Sequence, residues 1–131
     1  MKGDLAELGV WRGGTCIFAQ RLFGMLEPSN TRKIHVFDAF EELPGYGGAA
    51  SYLANSAADV RMNFKVMCAW TEHVQFYVGL FRETAKTFRA EHDVALTRLA
   101  VLRIDGNFYD SAPGRSAWDL RVRLGGWLRD F

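Results

Sequence analysis

Glu7, Asp38 and Asp105 each stand at or beside the end of a short apolar run. Acids are depleted inside strands, so their recurrence at strand ends asks for a reason. In an open parallel sheet, ligands gather outside the carboxyl ends of the strands, and three acids at such ends point to one shared crevice. Glu7 opens the turn Glu7-Leu8-Gly9-Val10-Trp11-Arg12-Gly13-Gly14. Its glycines let backbone N–H groups approach a ligand, and the helix that follows adds its partial positive end. The turn is not a nucleotide-phosphate loop: it lacks the Lys-Ser/Thr ending, its glycine spacing does not fit G-x-G-x-x-G, and the Glu7 carboxylate repels phosphate. A ligand with hydroxyls or an amino group suits it better. A tight strand-to-helix turn with no ligand is the alternative. Asp38, at the end of the second strand, is placed to accept hydrogen bonds from a ribose diol. Asp105, followed by Gly106-Asn107, has the oxygen chemistry of a hard-cation ligand, although magnesium calls for a second acid nearby. Acids that merely cap loops are the plainer explanation for all three.

Alternating strand and helix signals supply the elements that would position these groups, and they predict a parallel sheet with crossover helices. Leu5 to Val10 is the first expected strand. Thr15 to Leu26 carries Cys16, Ile17, Ala19, Leu22, Phe23 and Leu26 at helical spacing and ends at Pro28. Ile34 to Asp38 is the second strand. A glycine-rich loop from Pro44 to about Tyr52 precedes a helical pattern built on Val60, Met62, Phe64, Val66 and Met67. Val74 to Val78 alternates as a third strand, Thr84 to His92 is helical, and Leu99 to Asp105 is a mostly apolar fourth strand of the kind covered on both faces.

The chain has 131 residues, enough for one core, and the expectation is a single domain over 1–131. With 49% hydrophobic and 24% charged residues and a formal charge of +1, it offers no global field for nucleic acid and no apolar run long enough for a bilayer. Arg115, Arg121, Arg123 and Arg129 cluster locally and read as a solvated face. Cys16 and Cys68 read as small buried hydrophobes in a reducing compartment, and His35, His73 and His92 show no metal-ligand spacing. No signal-peptide pattern opens the chain, so a cytoplasmic location is expected.

Four blocks stand in order along the chain: residues 3–14, then Val36-Phe37-Asp38-Ala39-Phe40-Glu41-Glu42-Leu43-Pro44, then 74–84, then Leu102-Arg103-Ile104-Asp105-Gly106-Asn107-Phe108-Tyr109-Asp110-Ser111. Together they resemble the macrocin O-methyltransferase family, whose members are S-adenosylmethionine-dependent and metal-dependent enzymes acting on sugar hydroxyls of natural products. The resemblance implies a Rossmann-like class I methyltransferase core, α/β with helices on both faces of a mainly parallel sheet. It also implies that Glu7 and Gly9 line the methionine end of the cofactor, that Asp38 binds the ribose, and that Gly79 and Phe81 border the adenine. Val10, Trp11, Gly13, Ala39 and Phe40 belong to the same implied contacts. Asp105 is implied as the first metal ligand and, in some members, the base. A divalent cation such as Mg2+ would lower the pKa of an acceptor hydroxyl and orient its oxygen.

The chain departs from the family pattern after Ser111, where Ala112-Pro113-Gly114 breaks an expected helix. Residues 1–111 form the family-like core and 112–131 a divergent tail, in which Asp130 alone stands for the acid pair that completes the family's metal site. Asn107 replaces a usual acid, and Ala39 a frequent serine. A sheet lacking its later strands has an open edge where a second copy of the chain would pair. The expected function is methyl transfer from S-adenosylmethionine to a hydroxyl of a sugar-bearing metabolite, without nucleic acid or membrane partners. The alternative is a non-catalytic remnant that binds cofactor or a partner chain. A nicotinamide-dependent oxidoreductase fits less well, because neither its glycine spacing nor a Tyr-x-x-x-Lys pair is present.

Overall fold

A computed structural model describes residues 3–29, 31–41, 52, 54–92 and 98–105. The elements in chain order are β1 (Asp4–Leu8), α1 (Gly14–Leu26), β2 (Ile34–Asp38), α2 (Ala57–Val66), β3 (Val74–Val78), α3 (Phe81–Glu91) and β4 (Leu99–Ile104). Among the described residues the strands form one sheet in the order β3-β2-β1-β4, and every pairing is parallel. Strand and helix alternate throughout, as parallel pairing requires, because the chain must cross back over a sheet face between neighbours. This is the Rossmann-like arrangement, with helices on both faces.

Burial on the two sheet faces explains the apolar runs. One face buries Leu5, Ile34 and Val36 under Cys16, Ile17 and Ala19 of α1 and Val60 and Phe64 of α2. The other buries Ala6, Leu8, Phe37 and Tyr77 under Phe88 of α3. Phe37 and Tyr77 stack at 4.5 Å between ring centroids, and Phe88 meets Phe37 edge-on at 5.5 Å. Each fully buried ring of this kind contributes about 1.5–3 kcal/mol.

Local signals fix the helix starts. Ser56 caps α2 by accepting from Asp59 N while the Asp59 carboxylate accepts from Ser56 N, a reciprocal pair that satisfies two donors otherwise left open. Gly13 stands at the head of α1 with φ 82°, and a Cβ there would lie 2.9 Å from Val60 Cγ1. Glycine is therefore required by both backbone conformation and the close approach of α2.

Several expectations from sequence need correction. β1 stops at Leu8 rather than Val10, because Gly9 turns to φ 84° and leaves the extended region. α3 begins at Phe81, three residues before the expected Thr84, with Leu80 in extended backbone ahead of it. Only Val60 and Phe64 of the α2 pattern are buried, whereas Met62, Val66 and Met67 are exposed. Cys68 is exposed, in a left-handed turn with φ 51°, and only Cys16 is a buried thiol. The Pro44 to Leu53 loop apart from Tyr52, and everything after Asp105, including Asn107 and Asp130, lie outside the described residues.

Candidate functional site

The site is built where the ladder runs one step past the strand ends. Gly9 N–H donates to Phe37 O at 2.9 Å, Asp105 N–H to Leu8 O at 2.8 Å, and Gly79 N–H to Asp38 O at 2.9 Å. These bonds place Asp38, Gly9 and Asp105 side by side at the carboxyl ends of β2, β1 and β4, with Gly79 beyond Asp38. The sheet register thus sets Asp38 and Asp105 at strand ends flanking Gly9, whereas Glu7, the third expected acid, lies inside β1 and is buried.

From Gly9 the chain bends through residues with positive φ, Gly9 at 84°, Trp11 at 48° and Gly13 at 82°, and Gly13 N–H closes the turn on Val10 O at 2.7 Å. Asp38 fastens this turn to β2. Its Oδ2 accepts from Val10 N–H at 2.8 Å and from Trp11 N–H at 3.3 Å, and its Oδ1 accepts from Phe40 N–H at 3.0 Å. Phe40 itself has φ 54° and stacks on Phe76 at 5.7 Å. Val10 is buried, while Trp11 stays 47% exposed and its indole N–H donates to Tyr52 O at 3.2 Å. Asn63 of α2 holds the turn from the other side by donating to Arg12 O at 3.0 Å.

Glu7 is 1% exposed, on the face covered by α1. A buried carboxylate is costly unless paired, and both of its oxygens have partners. The Cys16 thiol donates to Oε2 at 2.8 Å, and Arg103 Nη1 donates to Oε1. Glu7 and Arg103 are direct cross-strand neighbours in the β1–β4 register. The second guanidinium nitrogen, Nη2, donates to Asp105 Oδ2, so one cation joins a buried acid to an acid whose side chain is 62% exposed. Burial, and then the neighbouring Glu7 charge, push the Cys16 thiol well above its usual range, so it stays protonated as a donor. Partial burial disfavours the Arg103 cation, but Glu7 and Asp105 outweigh that and hold it charged.

A model of the family described as Macrocin-O-methyltransferase (TylF) matches residues 1–128. The chain belongs to that family. It is 35% identical to the demethyldecarbamoylnovobiocin O-methyltransferase of Streptomyces niveus, over 96% of this chain and 51% of the relative. It is also 35% identical to the mycinamicin III 3''-O-methyltransferase of Micromonospora griseorubida, over 82% of this chain and 45% of the relative. The solved structure of the O-methyltransferase NovP superimposes with a TM-score of 0.77 at 32% identity, covering 97% of this chain and 53% of that one. The chain therefore spans about half the length of the family members it matches.

Within the family blocks, the structure brings Glu7, Gly9, Val10, Trp11, Gly13, Asp38, Phe40, Gly79 and Asp105 to the carboxyl end of the sheet, with Ala39 half-buried between Asp38 and Phe40. Phe81, the first residue of α3, is half-buried against the core on that face of the sheet. Arg103 is the residue that reading the sequence for acids and glycines overlooks. Its signal is a lone arginine inside the apolar run Leu99-Ala100-Val101-Leu102-Arg103-Ile104, where a charge needs a partner.

The donor chemistry fits a nucleoside cofactor at Asp38. Oδ1 holds one N–H and a carboxylate oxygen can accept two donors, so acceptor capacity remains for a hydroxyl. For a hard cation, Asp105 fits as one ligand, an exposed oxygen donor at the strand end, but its carboxylate is engaged by Arg103. Among the described residues no three of His, Cys, Asp and Glu come together as a cation cage. A separate groove of about 440 Å³ runs beside β3 and α3, lined by Lys33, Gln75, Tyr77, Thr87, Glu91 and His92 among others. None of the turn residues, Glu7, Asp38 or Asp105 lines it, so it is not the crevice described above.

Proposed function

We propose that this chain is the cofactor-binding part of an S-adenosylmethionine-dependent O-methyltransferase whose acceptor is a hydroxyl of a small molecule, a sugar-bearing natural product being the class its family relatives suggest. The observation that carries the reading is the turn after β1, bent through left-handed residues and fastened by Asp38 at the carboxyl end of a parallel sheet. S-adenosylmethionine, when bound, supplies a methyl group activated on a sulfonium. The chain's own residues bind and orient it. Asp38 offers the ribose hydroxyls an acceptor, Gly9 and Gly13 shape the backbone beside the methionine end, and Gly79 with Phe81 borders the adenine. Glu7, charge-paired with Arg103 and hydrogen-bonded by the Cys16 thiol, fixes the floor of the turn.

Asp105, with Asp130 as its companion, would hold a divalent cation that orients the acceptor oxygen and favours loss of its proton. Most of the rate advantage in such a site comes from alignment of donor and acceptor. No helix among the described residues is long and apolar enough to cross a membrane. Free thiols at Cys16 and Cys68 suit the reducing cytoplasm that this reading assumes.

One observation favours a second reading, cofactor binding without turnover: the Asp105 carboxylate is paired with Arg103. Calorimetry with S-adenosylmethionine tests the first step, with micromolar binding expected and clear weakening on Asp38→Ala. Methyl transfer to a sugar hydroxyl with and without magnesium separates the two readings, since the second predicts binding and no turnover. Absence of binding by the folded chain would refute both.

A further inference from the structure

Arg103 stands between two acids of different kinds. Glu7 is fully buried and cannot exchange its partner for water, whereas Asp105 lies at the strand end with its side chain 62% exposed. The guanidinium reaches both because β4 pairs with β1 in a register that sets Arg103 opposite Glu7 and Asp105 two residues on, along the same strand face. Arginine's planar fork allows this, presenting separate nitrogens to separate carboxylates. The attachment to Glu7 is the permanent one, since breaking it strands a buried charge. The attachment to Asp105 is the exchangeable one, because water and other cations reach that carboxylate.

From this asymmetry we infer that Arg103 is a built-in counter-cation that holds Asp105 through Oδ2 and competes with a divalent cation for that carboxylate, while staying anchored on Glu7. Arg103 is thus a positioning residue that sets how tightly the strand-end aspartate takes a metal ion. The inference rests on the proposed role of Asp105 as a cation ligand. Net charge alone does not express it: the triad of Glu7, Asp105 and Arg103 carries one net negative charge, and so does Asp105 by itself once Glu7 and Arg103 are both replaced by neutral residues. The difference lies in whether the carboxylate is already paired.

Manganese binding to the full chain, followed by the loss of the free-ion paramagnetic resonance signal, provides the test. Arg103→Met leaves Glu7 buried without its cation and is prone to unfold, so Arg103→Met with Glu7→Gln is the working variant, its fold checked by circular dichroism. That double variant should bind manganese about tenfold more tightly than the unaltered chain, the scale of one hydrogen bond to a charged group that the ion otherwise competes with. Adding Asp105→Asn to it should abolish the gain. Equal affinity of the folded double variant and the unaltered chain, with binding still lost on Asp105→Asn, would overturn the inference and leave Asp105 as a ligand. Binding that survives Asp105→Asn unchanged would overturn the ligand role and the inference together.

Discussion

Val10 donates its backbone N–H to Asp38 Oδ2 at 2.8 Å, tying the turn after β1 to the last residue of β2. Trp11 and Phe40 donate to the same carboxylate, so Asp38 organises two loops at once. Asp38→Ala removes an acceptor from all three N–H groups. Loss of a charged acceptor for partly buried donors should destabilise the chain by about 1–3 kcal/mol. A lower urea midpoint with an unchanged slope is the expected result, and an unchanged midpoint would show that the turn stands without Asp38.

Gly13 and Gly14 are adjacent but should respond in opposite ways. A Cβ at Gly13 meets Val60 Cγ1 at 2.9 Å with φ at 82°, while one at Gly14 meets nothing within 4 Å. Gly13→Ala combines left-handed strain with overpacking and should cost about 2 kcal/mol or more. Gly14→Ala should be neutral or slightly stabilising, since alanine favours the helix. Comparable losses in thermal melts of the two variants would contradict the assigned packing of α1 on α2.

The two cysteines should separate by accessibility. Cys16 is buried and its thiol is pushed up by burial and by Glu7, whereas Cys68 is exposed. Because the thiolate is the reactive form, a disulfide reagent should modify Cys68 rapidly and Cys16 only on unfolding. Two fast thiols in the native chain would mean that Cys16 does not sit on Glu7. Cys16→Ser keeps a donor for the carboxylate and should be milder than Cys16→Ala.

Acid should weaken the fold through His35 and Asp4, whose side chains meet at 3.0 Å. Burial holds the imidazole below its ordinary 6.5, only partly offset by Asp4. Burial alone would raise the Asp4 carboxyl, but hydrogen bonds from His35 and from Lys33 N–H bring it below its ordinary 3.8. In both cases the unfolded chain binds the proton more readily, so stability rises with pH. The His35 contribution is complete above about pH 6.5 and fades as pH falls toward its lowered value, and the Asp4 contribution follows below about pH 3.8. Urea midpoints should therefore fall between about pH 7.5 and 5.5, and His35→Gln, which keeps a donor to Asp4, should flatten that slope. An equal slope in the variant would remove His35 from the explanation.

Much of this arrangement is legible in the residues before any coordinates. β2 and β3 occupy the expected Ile34–Asp38 and Val74–Val78, because a short buried apolar run and a short alternating run between polar punctuation admit few other readings. The strand-end position of Asp38 and Asp105 follows from the same runs. What escapes the sequence is what depends on register or on neighbouring helices. Arg103 becomes meaningful only when β4 lies against β1, and Gly13 only when Val60 arrives from α2. The α2 pattern misleads because Met62, Val66 and Met67 are apolar yet face outward, and periodicity cannot tell a core stripe from an exposed one.

Under the proposed function, the 9–13 turn, Asp38–Phe40 and Gly79–Phe81 together hold S-adenosylmethionine. Titration of the isotopically labelled chain with S-adenosylhomocysteine, followed residue by residue through backbone amide resonances, tests it most directly. The account predicts that the amides of these three segments shift together along one saturating curve while those lining the groove beside β3 and α3, such as Lys33 and Glu91, stay fixed. Shifts confined to that groove, or none at all in a folded chain, would contradict it.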